Sequence, residues 1–330
     1  MKVDIHTHIM PEVMPNWTKK FGYGEFIHLE HRNCQACMMK GEKVFRVVEE
    51  NSFKAEARMG DMEKSRVDKQ VLSTIPVLFN YWSKAKDGLE TARFFNDHIA
   101  ETVTKNPDRF IGLGTVPLQD VQLATREMER VVQQLKMPGI EIGTNVNGKN
   151  LGEKEFFPFF EAAEKLNCSL FIHPWEMMGE DQTQKYWLPW LVGMPAETTR
   201  AICSLIFGGV FKEFPKLRVA FAHGGGSFPY TLGRIQHGFD VRPDLVAVDN
   251  KIAPQEYLGH FWVDSLVHDD RAFAFLLDSI GSDRICLGSD YPFPLGEHVP
   301  GELIERLELD KKLTEKLLFR NALDWMNIGD

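Results

Sequence analysis

Short apolar runs rich in β-branched residues recur along the chain, at 3–9, 70–76, 110–118, 139–144, 169–174, 218–224, 261–267 and 285–292. Each holds Gly, Pro, His or Asp within its last four residues, the pattern of a buried strand ending in a turn. Helical spacing separates most of them. Residues 123–135 place Met128, Val131, Val132 and Leu135 on one stripe, and 155–166 and 196–211 repeat the pattern. Pro195 suits a first helical position. Strand–helix alternation eight times over predicts an α/β fold, the (β/α)8 TIM barrel.

Two connections are too long for a plain barrel. The gap from Ile9 to Gln70 holds one helix, at 55–66, and leaves an insertion at about 10–53. Its segments 26–30 and 43–48 read as short strands, so a small β-rich cap that distorts one end of the barrel is expected. The second, 175–194, carries Trp175, Met177, Met178, Tyr186, Trp187, Trp190 and Met194. So many large apolar side chains in one loop predict a pocket wall or a subunit contact. With no internal repeat and no linker, the chain reads as one domain over 1–330.

Composition narrows the function classes. A net charge of −9 over 330 residues argues against nucleic acid, which needs a basic patch. It leaves an anionic small molecule open, because the local field decides that. No apolar run reaches the ~18 residues of a membrane span; the best, 201–211, is interrupted by Ser204. The start, MKVDIHTHIM, lacks the apolar stretch of a signal peptide. Five cysteines, an odd count, read as reduced thiols in a cytoplasmic protein.

The candidate chemistry lies where the strands end. His6 and His8 sit two apart near the end of the first strand, so both rings point to one face. The fifth strand closes on His173, the sixth on His223 and the eighth on Asp290. Functional groups in this barrel occupy the C-terminal strand ends. Four imidazoles and one carboxylate are poor core fillers, and imidazole is a common ligand of divalent metals. An open metal site with a free histidine beside it suits hydrolysis of an amide, ester or lactone, or hydration of an activated double bond.

These motifs resemble the amidohydrolase superfamily of metal-dependent barrels. The resemblance runs end to end, through D-I-H-T-H, K-V-F-R-V-V around Arg46, H-P-W-E-M-M, Y-W-L-P-W-L-V-G-M-P-A-E-T, F-A-H-G-G-G-S-F and L-G-S-D-Y-P-F-P-L-G-E. It implies a carboxy-lyase that decarboxylates a small dicarboxylate without oxidation. One zinc ion per chain would be held by His6, His8, His173 and Asp290. His223 would stay off the metal and move the proton. Arg46 would bind a substrate carboxylate, Trp190 and Phe293 would line the pocket, and Lys40 would assist near the metal-bound water. Arg234 and Arg242 would reach the site of a partner subunit in a homodimer. A related aromatic acid decarboxylase, or a lactone or amide hydrolase, is the competing enzyme reading. A metal-bound scaffold module is the non-enzymatic one, and it would be expected to lack one of these groups.

The bridging lysine of two-metal members is absent: the fourth strand reads G-I-E-I-G-T. A single metal follows, with Glu141 in that strand read as a solvated or paired side chain on the helix side. Cys34-Gln-Ala-Cys37 has no second pair and is assigned no metal or disulfide. Gly224–Gly226 reads as a tight turn beside the metal, not a dinucleotide loop. His28, His31, His98, His237, His260, His268 and His298 belong to no motif and read as ordinary surface or core histidines.

Overall fold

The computed structural model describes residues 1–32 and 35–329. Eight parallel strands form one sheet in sequence order: β1 Val3–His8, β2 Lys69–Ser73, β3 Phe110–Gly114, β4 Gly139–Gly143, β5 Ser169–His173, β6 Arg218–Phe221, β7 Trp262–Asp264 and β8 Ile285–Cys286. The ring closes where the Ile5 amide donates to the Leu287 carbonyl (2.9 Å) and the His8 amide to that of Tyr291 (2.8 Å). This is the expected (β/α)8 TIM barrel.

The intervening helices are α1 Ala55–Ser65, α2 Ala85–Lys105, α3 Val121–Gln133, α4 Phe157–Lys165, α5 Met194–Phe207, α6 Phe228–Val241 and α7 Asp270–Ile280. Local chemistry explains their ends. The Asp120 side chain caps α3 by accepting from the Leu123 amide at 3.0 Å, and Ala124, Met128 and Val131 then face the core. The single helix expected over 196–211 is two, because Gly209 takes φ +82° and restarts the chain as Val210–Glu213. Between β4 and β5 the backbones approach so closely that a Cβ at Gly139 would lie 2.1 Å from the Ser169 carbonyl oxygen, so only glycine fits.

The insertion is a three-stranded antiparallel sheet, Ile27–Arg32, Gln35–Lys40 and Lys43–Val48, preceded by the short helix Trp17–Phe21. Two strands were expected; the middle one carries the buried Cys37, Met38 and Met39, and Met38 packs with Ile75, Val77, Leu78 and Phe95 of the barrel. Cys34, half of the Cys34–Cys37 spacing, lies outside the described residues. Cys37, Cys168, Cys203 and Cys286 are free thiols. Among the described residues no helix is long and apolar enough to cross a membrane.

The strands end sooner than the apolar runs. β8 stops at Cys286, so Asp290 stands four residues beyond it, and His223 stands two beyond β6. Both have positive φ, +58° and +57°. Left-handed backbone at residues other than glycine is uncommon and gathers at functional sites. It turns these side chains back over the mouth of the barrel.

Candidate metal centre and active site

His6, His8, His173 and Asp290 each offer one ligand atom within 4.8 Å of the others, and all four are buried. Their hydrogen bonds fix how they point. His8 Nδ1 faces the Thr74 carbonyl at 2.8 Å and His173 Nδ1 faces the Pro174 carbonyl at 3.0 Å. A carbonyl only accepts, so both rings carry their proton on Nδ1 and leave the Nε2 lone pair inward. His6 Nδ1 lies 2.7 Å from Asp264 Oδ2, with the same result. The three Nε2 atoms and Asp290 Oδ1 are buried with no hydrogen-bond partner among the described residues.

Four orphaned donor atoms aimed at one point would be costly unless a cation binds there. Their protonation suits one. Burial holds the His6 imidazole below its usual range, and burial with the neighbouring imidazoles holds His173 well below it. Burial alone would raise Asp290, but His6, His223 and His8 hold it well below the ordinary carboxylate range. Neutral imidazoles with an ionised carboxylate are the metal-binding forms. This donor set therefore fits one divalent cation.

His223 stands beside that group, outside the four. Its Nε2 is 3.8 Å from Asp290 Oδ2, its ring centroid is 5.0 Å from that of His173, and its Nδ1 has no hydrogen-bond partner among the described residues. The Gly224–Gly226 turn that follows has φ +60°, +76° and +64°, and a Cβ at Gly226 would lie 2.3 Å from the Pro195 carbonyl oxygen. The tight turn expected there is present.

Arg46 reaches the site from the third strand of the inserted sheet, its guanidinium 4.6 Å from the centroid of Phe293 and 5.9 Å from that of Trp190. With His8, His173, Trp175, Trp187 and Asp290 these residues line one cleft, so the aromatic 175–194 connection is a pocket wall. Lys40 is exposed at the end of its strand and does not line the cleft. Arg234 is exposed on α6 with no bond to any described residue, and Arg242 is exposed and paired with Asp244 at 2.7 Å. None of these three touches the chain's own metal centre.

The reading of Glu141 as a solvated or paired side chain on the helix side is overturned. It is fully buried on the inner face of β4, its Oε1 is 3.7 Å from His8 Nδ1, and neither oxygen meets a hydrogen-bond donor in good geometry among the described residues. Burial pushes its carboxyl well above the usual range. It lies outside the four converging residues, which leaves a one-metal set.

Two positioning residues escaped the sequence. Asp264, at the end of β7, holds His6 and also accepts from the amides of His223 (2.9 Å) and Gly224 (2.7 Å). The signal was a carboxylate closing the seventh strand, the same cue that flagged Asp290. Arg58 on α1 is fully buried; it donates to the His8 carbonyl at 2.6 Å and lies 4.7 Å from the Tyr291 ring centroid. It thus ties both ligand-bearing segments together. Nothing in its local sequence marks it.

The profile of a family described as amidohydrolase matches residues 3–327. The chain is 54% identical to 2-amino-3-carboxymuconate-6-semialdehyde decarboxylase of Dictyostelium discoideum, over 99% of this chain and 92% of that one. It is 40% identical to the Caenorhabditis elegans protein of the same name, over 100% of this chain and 95% of that one. A solved structure of 5-carboxyvanillate decarboxylase from Novosphingobium aromaticivorans, complexed with manganese, shares the fold at a TM-score of 0.81 and 23% identity, covering 99% of this chain and 96% of that one.

Proposed function

The chain belongs to the amidohydrolase family, and we propose that it is a metal-dependent carboxy-lyase converting 2-amino-3-carboxymuconate 6-semialdehyde to 2-aminomuconate 6-semialdehyde and CO2. The observation that carries this reading is the set of four orphaned donors beside an uncoordinated His223 and a cleft-lining arginine, Arg46. Two relatives of that name, similar over nearly the whole chain, support the substrate.

The division of labour follows from the residues. His6, His8, His173 and Asp290 hold one divalent ion, and three nitrogens with one oxygen suit zinc. When bound, it supplies a Lewis acid and an activated water. Arg46 binds a substrate carboxylate through its rigid, permanently charged fork, and the aromatic wall around it keeps water away. As the C–CO2 bond breaks, its electron pair stays on carbon and takes a proton from His223. One proton replaces one CO2, and no oxidant is needed. Asp264 holds the backbone of His223 in place for that transfer.

Arg234 acts on the neighbouring copy in a homodimer. It is exposed on the outer helix ring, and α6 and its surroundings carry the exposed apolar side chains Tyr230, Val241 and Leu245, as a subunit contact requires.

The test is loss of the substrate's near-ultraviolet absorbance on adding purified protein, with CO2 measured in parallel. Equal amounts of substrate lost and CO2 released are expected. Substrate loss without CO2, or hydrolysis of esters or lactones in its place, would overturn the reading.

A further inference from the structure

The cleft beside Arg46 is narrow. The free space among Phe45, Trp175, Trp187 and Phe293 is about 30 Å3, room for about one ordered water. It is the tighter of two adjoining spaces. A second cavity, of about 330 Å3, meets the first at Trp190, Met194, Asp290 and Leu295. That volume is in the range of small-molecule sites.

The titratable groups lining this second lobe are His223, His268 and Asp290, and the remaining wall is mostly apolar, including Leu266, Val267 and Leu295. His268 stands at its open edge on the turn between β7 and α7, with φ +62°. No described residue hydrogen-bonds its ring. Desolvation and the nearby His223 keep the imidazole below its usual range, so the ring is an uncharged donor. The mostly apolar lining suits an uncharged chain.

Building on the proposed reaction, we propose that the substrate body lies in this second lobe, with its carboxylate end toward Arg46 and its aldehyde-terminated tail against His268, whose ring N–H donates to the aldehyde oxygen. The ligand class is a conjugated chain with a charged head and a neutral carbonyl tail. A donor on that carbonyl draws electrons along the conjugated chain and away from the carbon that loses CO2.

Two stable competitive inhibitors test this: conjugated dicarboxylates with the same head, one ending in a methyl ketone and the other in an ethyl group. In the metal-loaded wild-type protein the ketone should bind tighter by about three- to tenfold, the range one hydrogen bond supplies. His268→Ala should erase that preference and leave the ethyl compound's inhibition constant unchanged. His268→Gln, which keeps an N–H donor, should restore part of it. A wild-type enzyme that releases CO2 yet does not distinguish the inhibitors, or an alanine variant that keeps the full preference, overturns the lobe assignment alone. A wild-type protein that neither releases CO2 nor binds either compound overturns the reaction on which it rests.

Discussion

Asp264 Oδ2 lies 2.7 Å from His6 Nδ1, and the same oxygen accepts the His223 amide at 2.9 Å. One carboxylate therefore orients both a donor of the candidate metal centre and the histidine proposed for proton transfer. An asparagine can offer an N–H to His6 Nδ1, which would shift the ring proton to Nε2 and block the lone pair that binds the ion. Outer partners of this kind are typically worth 10- to 100-fold in metal affinity. Asp264→Asn should weaken zinc binding by about that factor, read by competition with a chelator; unchanged affinity would remove Asp264 from this role.

His223→Ala should keep its metal and lose turnover by about 10²–10⁴-fold, the usual value of general acid–base help. The four converging donors are complete without it. Loss of the metal in this variant would make His223 a ligand.

How much of this was legible depended on what each residue's neighbours could show. His6 and His8 were readable because strand alternation puts i and i+2 on one face. Glu141 was misread because β4 is buried on both sides: Ile140, Glu141 and Ile142 are all 0% exposed, so alternation cannot tell inside from outside. The positive φ of His223 and Asp290 has no signature in residue type. Arg58 meets His8 and Tyr291 across long sequence separations, and no local pattern encodes that.

Subunit sharing predicts complementation. Arg46 lines the cleft of its own chain, whereas Arg234 does not. Arg46→Ala and Arg234→Ala are each expected to be inactive. Mixed under conditions of random subunit exchange, half the dimers are hybrids and half their sites are intact, so about a quarter of wild-type activity should return. No recovery despite proven exchange would show that both arginines serve one chain.

His98 on α2 supplies a pH test of stability. Burial lowers its pKa from 6.5 to about 4. Between those values the unfolded chain takes up a proton that the folded chain does not. Its contribution is therefore fully present above about pH 6.5 and is lost as pH falls toward 4. His98→Leu should flatten the fall in Tm between pH 7 and pH 5. An unchanged slope would assign that acid sensitivity to other groups.

The most direct measurement of the central claim is CO2 release from the semialdehyde by metal-free protein titrated with zinc. Activity should rise linearly and level off at one zinc per chain, because one set of four side chains converges on one point. CO2 release independent of metal, or a plateau only at two ions per chain, would contradict the one-metal decarboxylase.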